Sequence, residues 1–401
     1  MNTIVYGSDK YKKYFASAIK TKIHRKLKIT KVNQGVVFPC GRPYDIGVYD
    51  ENCKYVPASD VMEFPGKHKK YMPWAKQIDY IDEDVLYLGD MHWHFGHFLL
   101  EHLGRLWPIL NKNFSKMKCV IMHKSIMEDN NDSYIYELLK LFGIKRNQLI
   151  VVKRPTRFKN VFVPETADNY NYTSREFNKI FDRFIENTNK EKTVKKISKV
   201  YVSREKMDDR RTFGEKYISK IFSANGFNVI YPEKLSLLRQ IQIISNCDVL
   251  AGCAGTALHL ALFMKKGGTV IQLKRNRKNK DNCSAQNHIN SMRGLNGVFI
   301  DASLEIYKTD HYTSFPQLVG LTPYLKQFFI DNAFKFDTQA NDTSEYCEYI
   351  ESVKNYRKLH GNAFVRKLKR LIVKISACFV PGRERRGNYR RWLKSKLNYE
   401  G

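Results

Sequence analysis

The stretch from Lys199 to Leu273 restricts the fold more than any other part of the chain. It opens with the apolar run KVYVS and a basic loop, REKMDDRR, followed by an amphipathic segment from Glu215 to Asn225 that stops at Gly226. NVIY and Pro232-Glu233 come next, then the helix-like SLLRQIQIISN and the run CDVLAG. The turn Gly252-Cys253-Ala254-Gly255-Thr256 leads into the apolar ALHLALFMKK and a last run, TVIQL. Short apolar runs alternating with helix-length segments predict βαβ units and a parallel sheet. Such sheets bind ligands outside the carboxyl ends of their strands. Arg204, Arg210 and Arg211 in the basic loop fall at one such end, and the Gly-rich turn falls at another. Cationic side chains and a helix N-terminus are therefore expected around one crevice suited to a diphosphate.

The first half alternates in the same way from VLYLG (85–89) onward. The apolar positions 95, 98, 99, 103, 106 and 107 recur at helical spacing. KCVIMH (118–123) predicts a strand, and DSYIYELLKLFG a helix with Asp132 as N-cap and Gly143 as its stop. LIVVK and NVFVP predict two further strands, Ser174 to Asn187 a linking helix, and Lys190 to Lys196 an exposed hinge. Residues 274–288 read as a polar, basic loop ahead of one last helix–strand pair. Residues 301–360 have weak periodicity and are expected as helices returning across the first domain. At 401 residues the chain is too long for one ordinary core. The expected division is 1–189, 190–335, 336–360 returning to the first unit, and a tail over 361–401.

Charge narrows the partners. The formal net charge is +29, and residues 361–401 hold 12 Lys and Arg against two Glu. Nucleic acid, an acidic membrane or a phosphorylated substrate would each answer it. FVRKLKRLIVKI (364–375) puts Phe364, Leu368, Leu371, Ile372 and Ile375 on one helical face with basic residues opposite, the pattern of a membrane-surface helix. Eight Cys show no CxxC pair and no zinc-like spacing, so they are expected reduced and mostly buried, as in a cytoplasmic protein. The N-terminus lacks a signal-peptide pattern, and no apolar run approaches the ~20 residues of a membrane span.

Three constellations carry possible chemistry. Ser203-Arg204 with Arg210-Arg211 offers guanidinium forks matched to phosphate oxygens, against the plainer reading of a solvated basic loop. Gly252 to His259 offers close backbone approach and helix N–H groups, against a plain tight turn; it matches neither GxGxxG nor GxxxxGK[ST]. His94, His97 and Glu101 share one helix face, so either His97 with Glu101 orienting it, or Glu101 itself, is a candidate general base. No HExxH and no third ligand point to a metal there. Asp82-Glu83-Asp84 matches a DxD pattern but precedes its predicted strand, and reads as a solvated turn.

Together these blocks resemble glycosyltransferase family 61 in its bacterial capsular-polysaccharide branch, over roughly residues 85 to 300. The first block is His94-Phe95-Gly96-His97-Phe98 with Glu101, and the second is Tyr201 to Arg204 through Arg210-Arg211. The third is Pro232-Glu233, Leu235-Ser236 and Gln240, then Gly255-Thr256-Ala257-Leu258-His259 and Phe263. The resemblance implies an α/β fold of GT-B type, two Rossmann-like domains facing a central cleft, completed here by the C-terminal basic amphipathic helix. It implies an inverting transferase with no required metal or other cofactor, using a nucleotide-sugar, a UDP-sugar in the first instance. Glu233 would meet the ribose, and Ser203, Arg204, Arg210, Gln240, Gly252, Gly255, Thr256, Ala257 and His259 would hold the donor. His97, Glu101 and Arg211 would carry the chemistry. The acceptor is expected to be a glycan or lipid-linked glycan at the inner face of the cytoplasmic membrane, with no nucleic acid. Gly214, Arg239, Leu260 and Gln272 depart from the family pattern. The competing readings are a nucleic-acid-binding protein and a non-catalytic scaffold of a glycan-assembly complex.

Overall fold

The computed structural model describes residues 2–16, 22–23, 26–39, 45–60, 69–91, 94–122, 134–169, 172–190, 196–207, 212–276, 281–304, 306–307, 315–337, 343–360, 368, 371–373, 375–377, 380 and 383–396. The predicted parallel sheet is present. Its six strands lie in the order Thr3–Tyr6, Asn296–Asp301, Thr269–Lys274, Val249–Cys253, Lys199–Val202, Asn228–Ile230, all parallel. From Lys199 on, the strands are laid down outward in one direction and then in the other. The reversal falls between Lys199–Val202 and Val249–Cys253, the topological switch point where such sheets take their ligands.

Side-chain alternation sets the two faces of this sheet. Val200, Val202, Leu250 and Val270 point to one side. Tyr201, Ala251, Cys253, Ile271 and Leu273 point to the other, under the helices Glu215–Ala224 and Pro323–Asp331. The edge strand Thr3–Tyr6 was expected within the 1–189 unit, yet it pairs with Asn296–Asp301 because its register places Thr3 to Tyr6 beside Gly297 to Ile300.

The other sheet is mixed rather than wholly parallel. Val36–Phe38 and Ile29–Asn33 pair antiparallel with Thr156–Pro164, and Gly47–Tyr49 pairs antiparallel with Val36–Phe38, while Thr156–Pro164, Asp79–Asp90, Lys118–Met122 and Leu149–Val151 run parallel. Leu86, Leu88, Cys119 and Ile121 from this sheet enter the same apolar cluster as Val200, Val202, Leu250 and Val270 from the first. The helices Tyr134–Phe142, Arg175–Asn189, Leu237–Ser245 and Thr256–Phe263 supply the layer between. Arg175–Asn189, expected as a linker, is thus a core element that buries Phe177, Ile180, Phe181 and Phe184.

Other expectations need correcting. Thr343–His360 does not return to the first half: Tyr349 and Val353 pack with Phe213, Phe315 and Leu318, beside the short pair Thr212–Phe213 and Gln317–Leu318. Asp82-Glu83-Asp84 is not a turn but part of Asp79–Asp90, at a register irregularity between Ile81 and Asp84. The second half of the expected 274–288 loop is the start of the helix Asp281–Arg293. Asp132 and all the basic residues of 364–375, with Phe364, lie outside the described residues.

Candidate active site

The segment after Asp79–Asp90 is helical but not one helix. A single α-turn, Phe95–His97, widens into a π-turn, Phe98–His102, and tightens again at Leu103–Arg105. Leu99, Leu100, Leu103 and Leu106 anchor it in the shared core. Arg105, itself buried, donates to the carbonyls of Ala58 (2.9 Å), Asp60 (2.7 Å) and Pro164 (3.2 Å), which ties the segment to the mixed sheet. π-turns concentrate at functional sites. Here the turn joins the two candidate bases: His97 Nδ1 lies 2.8 Å from Glu101 Oε1, with the imidazole 46% exposed and the carboxylate 8%. The His94 ring meets that of His97 edge-on, centroids 4.9 Å apart. His102 is buried and stacked on Phe98, a structural position.

At the switch point, Arg204 lies two residues beyond Val202 and Gly255 two beyond Cys253. Gly255 has φ +153°, and a Cβ there would lie 2.3 Å from Arg204 Nη1 and 3.5 Å from Arg275 Nη2. The positive φ favours glycine, and the Arg204 guanidinium lies where a side chain would start, with that of Arg275 at van der Waals distance. Gly255 also caps Thr256–Phe263, whose first N–H groups lack intrahelical acceptors and attract anions. Beneath it Glu215, fully buried, accepts from the Arg204 backbone N–H and the Tyr201 hydroxyl, both at 3.3 Å. Burial pushes the Glu215 carboxyl up to about 6, although Arg204 and Arg275 pull it down.

The two clusters meet. A Cβ on Gly96 would lie 2.5 Å from Thr256 Cγ2 and 3.1 Å from His259 Nδ1, so only glycine lets the His97 segment seat against the Gly255 turn. His259 joins both: burial, then the nearness of His94 and His97, holds its imidazole down to about 4, and its Nδ1 is sealed without a hydrogen-bond partner among the described residues.

The remaining candidates divide. Ala257 packs on the core beside Thr256. Gly252 lies inside its strand, paired with Val202 and Gln272, rather than in the turn. Ser203 is buried, its hydroxyl accepting from the Glu205 N–H. Gln240 donates to the carbonyls of Pro232 and Leu235 (2.8 and 3.0 Å), which shapes the turn carrying the exposed Glu233. Arg210 and Arg211 lie outside the described residues. Sequence reasoning missed Arg275 and Glu215. Arg275 directly follows a strand at the binding edge, a position that gives the signal, but it lay within a basic run read as a loop.

A paired-arginine turn at a switch point, set against a histidine–carboxylate pair, is suited chemically to group transfer from a phosphorylated donor. Residues 95–271 match the Glycosyltransferase 61 family model, a span that includes His97, Glu101, Arg204 and Gly255. The match supports a glycosyltransferase, with a sugar donor and a glycan acceptor in general terms. No curated protein was found to match the chain.

Proposed function

We propose that the chain is an inverting glycosyltransferase of two-lobed GT-B type, moving a sugar from a UDP-linked donor to a hydroxyl of a growing bacterial surface glycan, of capsule or lipopolysaccharide type. The contact of Gly96 with Thr256 carries this reading, because it sets His97 beside the turn that holds Arg204. With the Nδ1 proton directed to Glu101, the lone pair on Nε2 is the basic site. His97 takes the acceptor O–H proton as that oxygen attacks the anomeric carbon from the face opposite the diphosphate. The bond from the anomeric carbon to the phosphate oxygen breaks, and its electron pair leaves on the nucleoside diphosphate. Arg204 and the Thr256 helix start stabilise that charge, a contribution of roughly 3–4 kcal/mol per well-placed donor. The proposal needs no metal: Asp82-Glu83-Asp84 lies within the amino-terminal half of a strand whose other end leads toward His94, which argues against a metal-bound donor at that triplet.

Peripheral docking on the inner face of the cytoplasmic membrane is part of the proposal. Leu368, Leu371, Ile372 and Ile375 follow helical spacing and are between 42% and 52% exposed, whereas Val373 and Ala377 are buried. An exposed aliphatic row in so basic a segment suits an anionic lipid surface. The test is a screen of UDP-, GDP- and CDP-sugars with glycan acceptors, following nucleoside diphosphate release and the anomeric configuration of the product by NMR. Turnover with an inverted product is expected. Absence of turnover with every donor, or a retained configuration, would overturn the proposal.

A further inference from the structure

We propose that Arg275 is the second half of a diphosphate clamp whose first half is Arg204, with the bare backbone of Gly255 as the saddle between them; this rests on the nucleotide-sugar reading above. Three adjacent parallel strands deliver the parts. Val202 pairs with Gly252, Gly252 with Gln272, and Cys253 with Leu273, so Arg204, Gly255 and Arg275 all leave the same edge of the sheet. The guanidiniums follow the strands on either side of the one that leads to Gly255. Arg204 Nη1 lies 2.3 Å from the point a Cβ would occupy on that glycine, and Arg275 Nη2 lies 3.5 Å from it. Arg275 is held there: its Nη1 donates to Thr212 Oγ1 at 2.9 Å, which presents the other end of the fork, Nη2, to Gly255.

The buried Glu215 carboxylate attracts both Arg204 and Arg275, and its hydrogen bond to the Arg204 N–H fixes the backbone that carries the first fork. Two forks across one strand match the two phosphoryl groups of a diphosphate better than the single group of a monophosphate, because each fork can engage its own set of oxygens. The clamp also supplies a full counter-charge from described residues on the side of Gly255 away from Arg204. The leaving group would then be gripped from both flanks.

The experiment is calorimetric titration of the full chain with UDP, UMP and inorganic pyrophosphate, comparing wild type with Arg275→Ala and Arg275→Lys. The expected result is a loss of roughly 10- to 100-fold in UDP and pyrophosphate affinity for Arg275→Ala, the weight of a charge-assisted hydrogen bond. UMP affinity should fall at least about tenfold less, and Arg275→Lys should be intermediate, because lysine restores charge without the fork. Circular dichroism and thermal unfolding confirm that each variant is folded. If Arg275→Ala misfolds, Arg275→Lys decides, and lysine affinities equal to wild type for UDP and pyrophosphate overturn the clamp. A folded Arg275→Ala with wild-type UDP affinity, or with equal losses for UDP and UMP, also overturns it while leaving the glycosyl-transfer reading intact. Wild-type protein that binds neither UDP nor any of GDP, CDP and ADP would instead overturn the reading beneath it.

Discussion

Replacing Glu215 by glutamine should stabilise the protein at neutral pH and leave it nearly unchanged at pH 4.5. The carboxylate is fully buried, Oε1 accepts from Tyr201 and Arg204, and Oε2 has no hydrogen-bond partner among the described residues. Its carboxyl is pushed up from 4.5 to about 6, first by burial. Between those values the folded chain keeps a proton that the unfolded chain has lost. Stability is therefore full below pH 4.5 and declines as pH rises through 6. At 1.36 kcal/mol per pH unit, the rise from 4.5 to about 6 amounts to about 2 kcal/mol. Glutamine keeps the shape and the Oε1 acceptor, and its amide replaces an oxygen that had no partner. For a chain of 401 residues, with an unfolding entropy of ~2.1 cal/mol/K per residue, 2 kcal/mol is about 2–3 °C in Tm. Scanning calorimetry at pH 4.5 and 7.5 should thus show the variant gaining about 2–3 °C on wild type at the higher pH only. An equal offset at both pH values, or a variant that loses ground at pH 7.5, would show that ionising Glu215 does not oppose folding.

Three further outcomes are expected. His97→Ala should lower kcat by about 10²- to 10⁴-fold with folding intact, and Glu101→Gln by a smaller factor, in a coupled assay of diphosphate release; wild-type kcat in His97→Ala removes it as the base. His259, held down to about 4 from 6.5, stays neutral in the fold, so the stability it confers is present above pH 6.5 and lost as pH falls through 4, by up to about 3 kcal/mol. His259→Gln should flatten that acid limb in urea titrations, and Glu215→Gln should steepen it by removing the opposing slope. Replacing Leu371, Ile372 and Ile375 by serine should cut co-sedimentation with phosphatidylglycerol vesicles at least about tenfold, since each side chain loses apolar burial. Unchanged sedimentation would show that this row does not face lipid.

The second half of the fold was legible because each strand is a short apolar run whose period of two, flanked by helix-length segments, admits few alternatives. KVYV, NVI, VLAGC, TVIQLK and NGVFID are all strands of one parallel sheet. The ends of that sheet, and so the place of Arg204 and Gly255, followed from topology. The first half was harder. Its sheet gains antiparallel strands of three to five residues, Ile29–Asn33, Val36–Phe38 and Gly47–Tyr49, too short for periodicity to register. Thr3–Tyr6 was misplaced because no local signal says which sheet an edge strand will join. Glu215 read as one acid at the start of an amphipathic helix, and nothing local reveals that Arg204 and Arg275 would close over it. Gly214, a departure from the family pattern, becomes intelligible only in three dimensions. Its φ is +84°, and a Cβ would lie 1.9 Å from the Val319 carbonyl oxygen, so no residue with a side chain fits this backbone as it stands.

The site's two halves are set by one core, and this bears on how it could work. Leu99, Leu100 and Leu103 of the His97 segment and Leu258, Leu260 and Leu262 of the Gly255 helix belong to the same buried cluster. The imidazole and the arginines are therefore positioned by packing that the folded chain already contains, and Gly96 against Thr256 fixes their approach directly. Preorganisation of this kind would place the proposed catalytic groups before the donor arrives, and misplacement by about 1 Å can cost 10²-fold in rate. The departure at Leu260 fits the same account. The residue is 1% exposed and packs in the shared core, so it supports the helix behind His259 and does not itself face the crevice as a polar group.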